Sequence, residues 1–310
     1  MDDYQTMAIT IHPDEDGFTG RECPSCEGYF KIQFGTGLKG ENLPCHCSYC
    51  GHAQDHDRFW TKEQIKYAES KALHKFTGDI LKMMKKLERR PNPRALFDVG
   101  ITVKGKPHPI HYYREPKLEQ EVTCDKCTLR YTIYGIFGFC PDCGIHNSLQ
   151  ILDANLKVIE KMIALAEGHE KEVADKLLDN ALEDSVSALD GFGGKLCKVY
   201  ASKATDPAKA EKISFQNING VKATVLALFN IDISIPFNHD EWQNILASFQ
   251  KRHLLAHNMG VIDQKYIDAT GESQSIIGKK IKVTKEEVKS LSQWLLTLGT
   301  FLTNEMQKLS

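Results

Sequence analysis

Two sets of residues in this chain have types and spacings that could do chemistry. Eight of its ten cysteines fall into four C-x-x-C pairs: Cys23/Cys26, Cys47/Cys50, Cys124/Cys127 and Cys140/Cys143. Two such knuckles facing each other bring four thiolates to one tetrahedral cation, and zinc is the usual occupant. The second set lies in Gln250-Lys-Arg-His-Leu-Leu-Ala-His-Asn258, which puts Arg252, His253 and His257 into an otherwise apolar helical segment. An imidazole exchanges protons near neutral pH and a guanidinium neutralises phosphate, so together these residues suit phosphodiester chemistry.

The first cysteine set needs a hairpin to hold it, and Tyr29-Phe-Lys-Ile-Gln-Phe34 between the knuckles supplies the strand pattern. An extended stretch, Met7 to His12, and a turn through Pro13 and Gly17 lead into it. Cys45, Cys47 and Cys50 offer three sulfurs for two places. The Cys47/Cys50 pair followed by Gly51 fits the knuckle pattern better than Cys45, and a tetrathiolate needs neither His46 nor His52. The second set, C-x2-C-x12-C-x2-C, encloses Leu129-Arg-Tyr-Thr-Ile-Tyr134 and reads as a compact zinc ribbon. Two structural zinc ions per chain are expected, with the metal replacing cores too small to stand alone. Each ribbon is either a folding staple or a docking surface for nucleic acid or protein, and the pattern does not choose between them.

Metal spacing in place of a disulfide framework implies a reducing compartment. The acidic start, Met1-Asp-Asp-Tyr, lacks the form of a secretory signal, and no apolar run approaches the ~20 residues that cross a bilayer. A cytoplasmic protein without membrane contact is expected. The formal net charge of -2 excludes a global electrostatic case for nucleic acid, so any such binding must use local basic surface. Cys197 stands alone in a helical context and reads as a small buried hydrophobe.

Between the ribbons, Thr61-Lys-Glu-Gln64 is a capping box opening a helix with apolar positions Ile65, Ala68, Ala72, Phe76, Ile80, Met83 and Leu87. It is expected to end before Pro91 and Pro93. Lys82, Lys85, Lys86, Arg89, Arg90 and Arg94 make its end basic, which suits either a phosphate backbone or, more simply, a solvated face complementing the helix dipole. Residues 96–113 look β-like, with His108 and His111 at no ligand spacing.

After Ser148 the texture becomes helical. Helices are expected over 153–167 and about 170–200, with Gly191, Gly193 and Gly194 as a break or a close-packing point, then near 207–213 and 218–229. Asp232 to His239 reads as a loop, and Asn238 or Asp240 caps the helix that carries Arg252 and His257 and stops near Gly260. A β-like piece, Lys279 to Val283, precedes a last helix opened by Thr284-Lys-Glu-Glu287. Its Val288, Leu291, Leu295, Leu298 and Leu302 suit helix packing or a dimer seam.

On a regular helix His253 and His257 share a face, while Arg252 lies about 140° from His257 at ~3.6 residues per turn. A zinc pair lacks the intervening Glu of a metalloprotease and an evident third ligand. Polar positions on a half-buried helix are the plain alternative. The third reading is an Arg-x4-His site: Arg252-His253-Leu-Leu-Ala-His257, with the polar His253 directly after the Arg, resembles the motif of the HEPN superfamily, α-helical domains whose ribonuclease members carry R-x4-6-H. The resemblance covers roughly residues 153–310 and is best over 238–266, where Asn258-Met-Gly260-Val-Ile-Asp263 is similar to the turn after that motif. The family's toxins that are silenced by a paired nucleotidyltransferase carry R-x4-H-x-Y, whereas Met259 stands at that third position here, so adenylylation at this site is not expected.

The fold class expected is α+β: two zinc-ribbon modules (1–60 and 96–150) joined by an amphipathic helix (61–95), then a mostly α-helical, HEPN-like bundle (151–310). The resemblance implies a homodimer through the helical domain that cleaves RNA without a catalytic metal, leaving 2′,3′-cyclic phosphate and 5′-hydroxyl ends. Arg252 and His257 are its central catalytic residues, with His253 and Asn258 assisting. It also implies a prokaryotic defence or stress setting and a regulatory protein partner. The alternatives are a non-catalytic nucleic-acid-binding module and a protein adaptor.

Overall fold

The structure, a computed structural model, describes residues 7–40, 43–90 and 100–309. Pro91, Pro93, Arg94 and the start of the β-like stretch at 96 lie outside the described residues. The chain divides into two compact units, one up to Asn147 and the other from Ser148.

In the first unit β1 (Thr19–Glu22) and β2 (Tyr29–Ile32) form the first hairpin, and β3 (Pro44–His46) pairs with β4 (Ala53–Asp55). α1 (Lys62–Lys85) follows, then β5 (Gln120–Thr123) and β6 (Arg130–Ile133) form the second hairpin. The ribbons are not separate modules. β2 pairs antiparallel with β6, Lys31 opposite Thr132 and Ile32 opposite Tyr131, giving one four-stranded sheet in the order β1-β2-β6-β5. The boundaries read near 60 and 96 are therefore not breaks in compactness. Each hairpin alone buries too little, and pooling them lets Phe30, Ile32, Leu129, Tyr131 and Ile133 close one core with Phe59.

α1 starts as its sequence dictates. Thr61 Oγ1 accepts from the Gln64 amide at 3.1 Å while Gln64 Oε1 accepts from the Thr61 amide, also at 3.1 Å. Its buried residues are Gln64, Tyr67 and Ser70 and not the apolar series read from the sequence. Residues 7–12 and the described residues of 100–113 form no paired strand; the one bridge there joins Arg89 to Ile101. The latter segment instead runs along α1, with the His108 amide donating to Thr77 Oγ1 and the His111 amide to Ser70 Oγ.

The second unit is helical: α2 (Ser148–Ala166), α3 (Lys171–Val199), α4 (Pro207–Ala210), α5 (Ile218–Phe229), α6 (His239–Asn258), α7 (Gln264–Thr270) and α8 (Lys285–Gln307). α2, α3 and α8 pack on one another. Leu291, Leu295, Leu298 and Leu302 are fully buried there, which resolves the two readings of α8 in favour of helix packing. α3 passes through Gly191, Gly193 and Gly194 without a break. Gly193 is a close-packing point: a Cβ there would lie 2.5 Å from the Phe215 ring. Among the described residues no helix is long and apolar enough to cross a membrane.

Candidate functional site

The first hairpin and the loop through β3 bring together Cys23, Cys26, Cys47 and Cys50, and the second brings together Cys124, Cys127, Cys140 and Cys143. Within each group the four sulfurs lie within 4.8 Å of one another. Resolved pairs are at 3.7 Å (Cys23 and Cys50), 3.6 Å (Cys26 and Cys47), 3.6 Å (Cys124 and Cys143) and 3.4 Å (Cys127 and Cys140). A tetrahedron of sulfurs about 2.3 Å from a central zinc has edges of about 3.8 Å, so both groups fit one metal ion each. The knuckle turns are built for this. The amides of Ser25 and Tyr49 point at Cys23 and Cys47 sulfur at 3.4 and 3.3 Å, which favours thiolate charge.

The electrostatics of the second group are those of thiols crowded enough to share protons. A hydrogen bond from Cys140 pulls Cys124 down to about 4, against its burial, while burial pushes Cys127 up to about 12. The bond to Cys124 and then burial drive Cys140 upward. One charge is accommodated readily and the next is resisted, a conflict that a divalent cation relieves.

Cys45 lies outside both groups. It is fully buried on β3, and burial raises its thiol to about 12 although the charge of Arg21 pulls the other way. Arg21 is itself 2% exposed. Its guanidinium is held between the rings of Phe34, at 4.9 Å, and Trp60, at 4.7 Å. His46 Nδ1 lies 3.2 Å from the Pro141 carbonyl, and the His52 ring tilts against Phe59, so both histidines have packing roles.

The second candidate site is on α6. Asn238 caps the helix, accepting from the Glu241 amide at 2.9 Å while Glu241 accepts from the Asn238 amide. The other end closes where Met259 (φ 51°) and Gly260 (φ 75°) both turn left-handed. The helix runs unbroken between, so Arg252, His253 and His257 keep the angular relations of a regular turn. His253 and His257 are exposed, with ring centroids 4.7 Å apart and planes inclined at 54°. Arg252 is half-buried, and its Nε is buried without a hydrogen-bond partner among the described residues. Asn258 sits differently from expectation. Its Nδ2 donates to the Val261 carbonyl at 2.6 Å, tying down the turn after the helix.

That turn is bonded to the stretch read as β-like. The Ile281 amide donates to the Gly260 carbonyl at 2.8 Å and the Ile262 amide to the Lys279 carbonyl at 2.9 Å. Lys279, Lys280 and Lys282 are exposed along this edge, while Lys251 is ion-paired with Glu287. The stretch read as a β-like piece before the last helix forms no strand, only a single bridge between Lys280 and Val261, and its place against the turn is not visible in the sequence.

Sequence reading also missed a cleft of about 490 Å³ in the first unit, lined among others by Asp14, Lys31, Tyr67, Tyr112, Tyr113 and Glu115. Lys31 donates to Asp14 at 2.7 Å, and Tyr29 is bonded to Glu115. The adjacent tyrosines at 112 and 113 were the one local signal, but their partners come from β2, α1 and the loop before β1.

No family model matches the chain, and no curated protein or solved structure matches it either.

Proposed function

We propose that the second unit is a HEPN-type endoribonuclease, and that the first unit is a double zinc ribbon with two structural zinc ions. The observation carrying the catalytic reading is on α6: an arginine with a buried, unpaired Nε beside two exposed imidazoles one turn apart. The Arg252 guanidinium carries a positive charge beside these imidazoles, which suits an anionic ligand.

The chemistry follows from the side chains. His257, as the neutral imidazole, takes the proton of the ribose 2′-hydroxyl, and the 2′-oxygen attacks the adjacent phosphorus. The bond from phosphorus to the 5′-oxygen breaks, and that oxygen takes a proton from an imidazolium, His253 or the partner protomer's copy of the motif. Charge gathers on the phosphorane oxygens in between, where Arg252 lowers the barrier. The products are a 2′,3′-cyclic phosphate and a 5′-hydroxyl, with no net gain or loss of atoms. Two motifs facing each other across a two-fold axis would complete the site. The exposed Lys279, Lys280 and Lys282 border it with charge for the RNA backbone. A defence or stress role with a regulatory partner belongs to the same reading.

Exposure of both imidazoles on one protomer favours a second reading, in which the unit binds nucleic acid or a protein without cleaving. Purified chain incubated with RNA in the absence of magnesium, beside Arg252→Ala and His257→Ala, separates the two. Cleavage by the parent and loss in both variants is expected. Intact RNA throughout, or equal cutting by all three proteins, removes the catalytic reading.

A further inference from the structure

α1 carries an apolar stripe that its own unit does not cover. Leu73, Phe76, Ile80, Met83 and, in the turn just past the helix, Leu87 follow a strict three-four alternation. They are 46%, 63%, 37%, 65% and 67% exposed. The opposite face is the occupied one. Gln64, Tyr67 and Ser70 are buried, Thr77 receives the His108 amide, and Gly105 and Pro107 lie against Leu81 and Gly78. Ile80, Met83, Met84, Lys86 and Leu87 line a shallow groove of about 380 Å³ at the end of the stripe. A contiguous apolar strip of this kind, at the spacing of a two-helix seam, is the form of an interface.

We propose that this stripe pairs with the same stripe of a second copy, antiparallel, as a short two-helix seam centred between Ile80 and Met83. In coiled-coil terms Leu73, Ile80 and Leu87 take one core position and Phe76 and Met83 the other. An antiparallel pair then layers Ile80 on the partner's Met83 and Phe76 on the partner's Leu87. Charge selects this direction. Asp79 and Lys86 flank the stripe on the same side, seven residues apart, and both are exposed. The antiparallel arrangement sets Asp79 of each copy beside Lys86 of the other, forming two ion pairs related by the two-fold axis. A parallel arrangement would pair neither and would crowd Lys85, Lys86, Arg89 and Arg90 of both copies at one end. Within its own helix Asp79 meets only Lys82, at 3.3 Å, an exposed pair that does not compete strongly. The inference does not depend on RNA cleavage by the second unit.

The test uses the full, metal-loaded chain and reads hydrogen exchange of amides 73–87. Asp79→Lys and Lys86→Asp each replace two attractions by two repulsions, and each is expected to lower protection about tenfold, the scale of losing and reversing two exposed pairs. Mixing the two variants in equal amounts restores both attractions between unlike chains, so protection should return to within about twofold of the parent. Only pairing between copies can be rescued by mixing. Unchanged protection in the single variants overturns the proposal. So does loss without recovery on mixing, the outcome expected if the second unit of the same chain or an unrelated protein covers the stripe. Ile80→Asp, at the centre, is expected to lower protection in the mixture as well.

Discussion

Gly193 and Phe215 approach so closely that a single added carbon would collide: an ideal Cβ on Gly193 would lie 2.5 Å from the ring. α3 has glycine there because the Phe215 ring packs against its backbone, and this contact ties the α4 to α5 connection to the core. Gly191, two residues earlier and exposed, has nothing within 4 Å of its would-be Cβ. Gly193→Ala should therefore destabilise the second unit by about 1–3 kcal/mol through overpacking. Gly191→Ala should stabilise it by up to about 1 kcal/mol through helix propensity alone. Denaturant midpoints moving in the same direction for both variants would contradict this account of the contact.

The cysteine geometry makes a prediction about metal stoichiometry. Cys47→Ser breaks one sulfur group, so metal analysis should fall from two ions per chain to one. Cys45→Ser removes a buried thiol outside both groups and should leave two bound. If Cys45→Ser also loses an ion, the ligand assignment fails.

Asp232 gives a pH-dependent expectation in the unit that carries no cysteine cluster. Burial acts to raise its carboxyl, but the Ser234 amide and hydroxyl, at 2.9 and 2.8 Å, and the Lys222 ammonium outweigh that and hold it below the ordinary value. A depressed native value means that the unfolded chain binds the proton more readily. The stabilisation is thus fully present above the unfolded value near 3.9 and is lost as pH falls through the native one. Asp232→Asn should cost less than about 1 kcal/mol at neutral pH, since the group is partly exposed. That difference should shrink below about pH 4 in urea titrations. A gap that widens toward acid would show that the sign is wrong.

Asn258 has its side-chain amide engaged with the Val261 carbonyl, so in the proposed site it would act by holding the turn in place. Removing that bond in Asn258→Ala should cost about 1 kcal/mol. For a unit of this size that is a fall of about 2–4 °C in Tm. RNA cleavage should be reduced less than in His257→Ala. An unchanged Tm with activity lost as completely as in His257→Ala would instead place Asn258 at the reacting atoms.

What was legible in the sequence was local. Thr61, Asn238 and Thr284 each announce a helix start through a residue three positions on, and all three capping boxes form. The C-x-x-C pairs are local as well, and Gly51 after the knuckle separates Cys47 from Cys45. What was hidden depends on residues far apart in the chain. Nothing near Ile32 says that it will lie opposite Tyr131, so two ribbons sharing a sheet read as two modules. The apolar periodicity of α1 gave the helix correctly but not its cover, because periodicity records that a face is apolar and not what lies against it. The glycines of α3 carried both readings, and only the position of Phe215 decided between them. For α6, spacing placed Arg252 and the histidines on a helix, while the unpaired Nε and the bond from Ile281 to Gly260 required the surrounding chain.

The pairing of β2 with β6 also sets a timetable for the newborn protein. About a hundred residues separate the partners, so at the ~5–20 residues per second of synthesis the first hairpin waits roughly 5–20 s for its neighbour. Through that interval Phe30 and Ile32 have an open strand edge, and Cys23, Cys26, Cys47 and Cys50 have no finished sheet around them. Early capture of a metal ion by these four sulfurs would hold the hairpin closed until the rest of the sheet leaves the ribosome. Cells starved of that metal should accumulate aggregates of this chain nucleated by its N-terminal third, even where the helical unit folds normally.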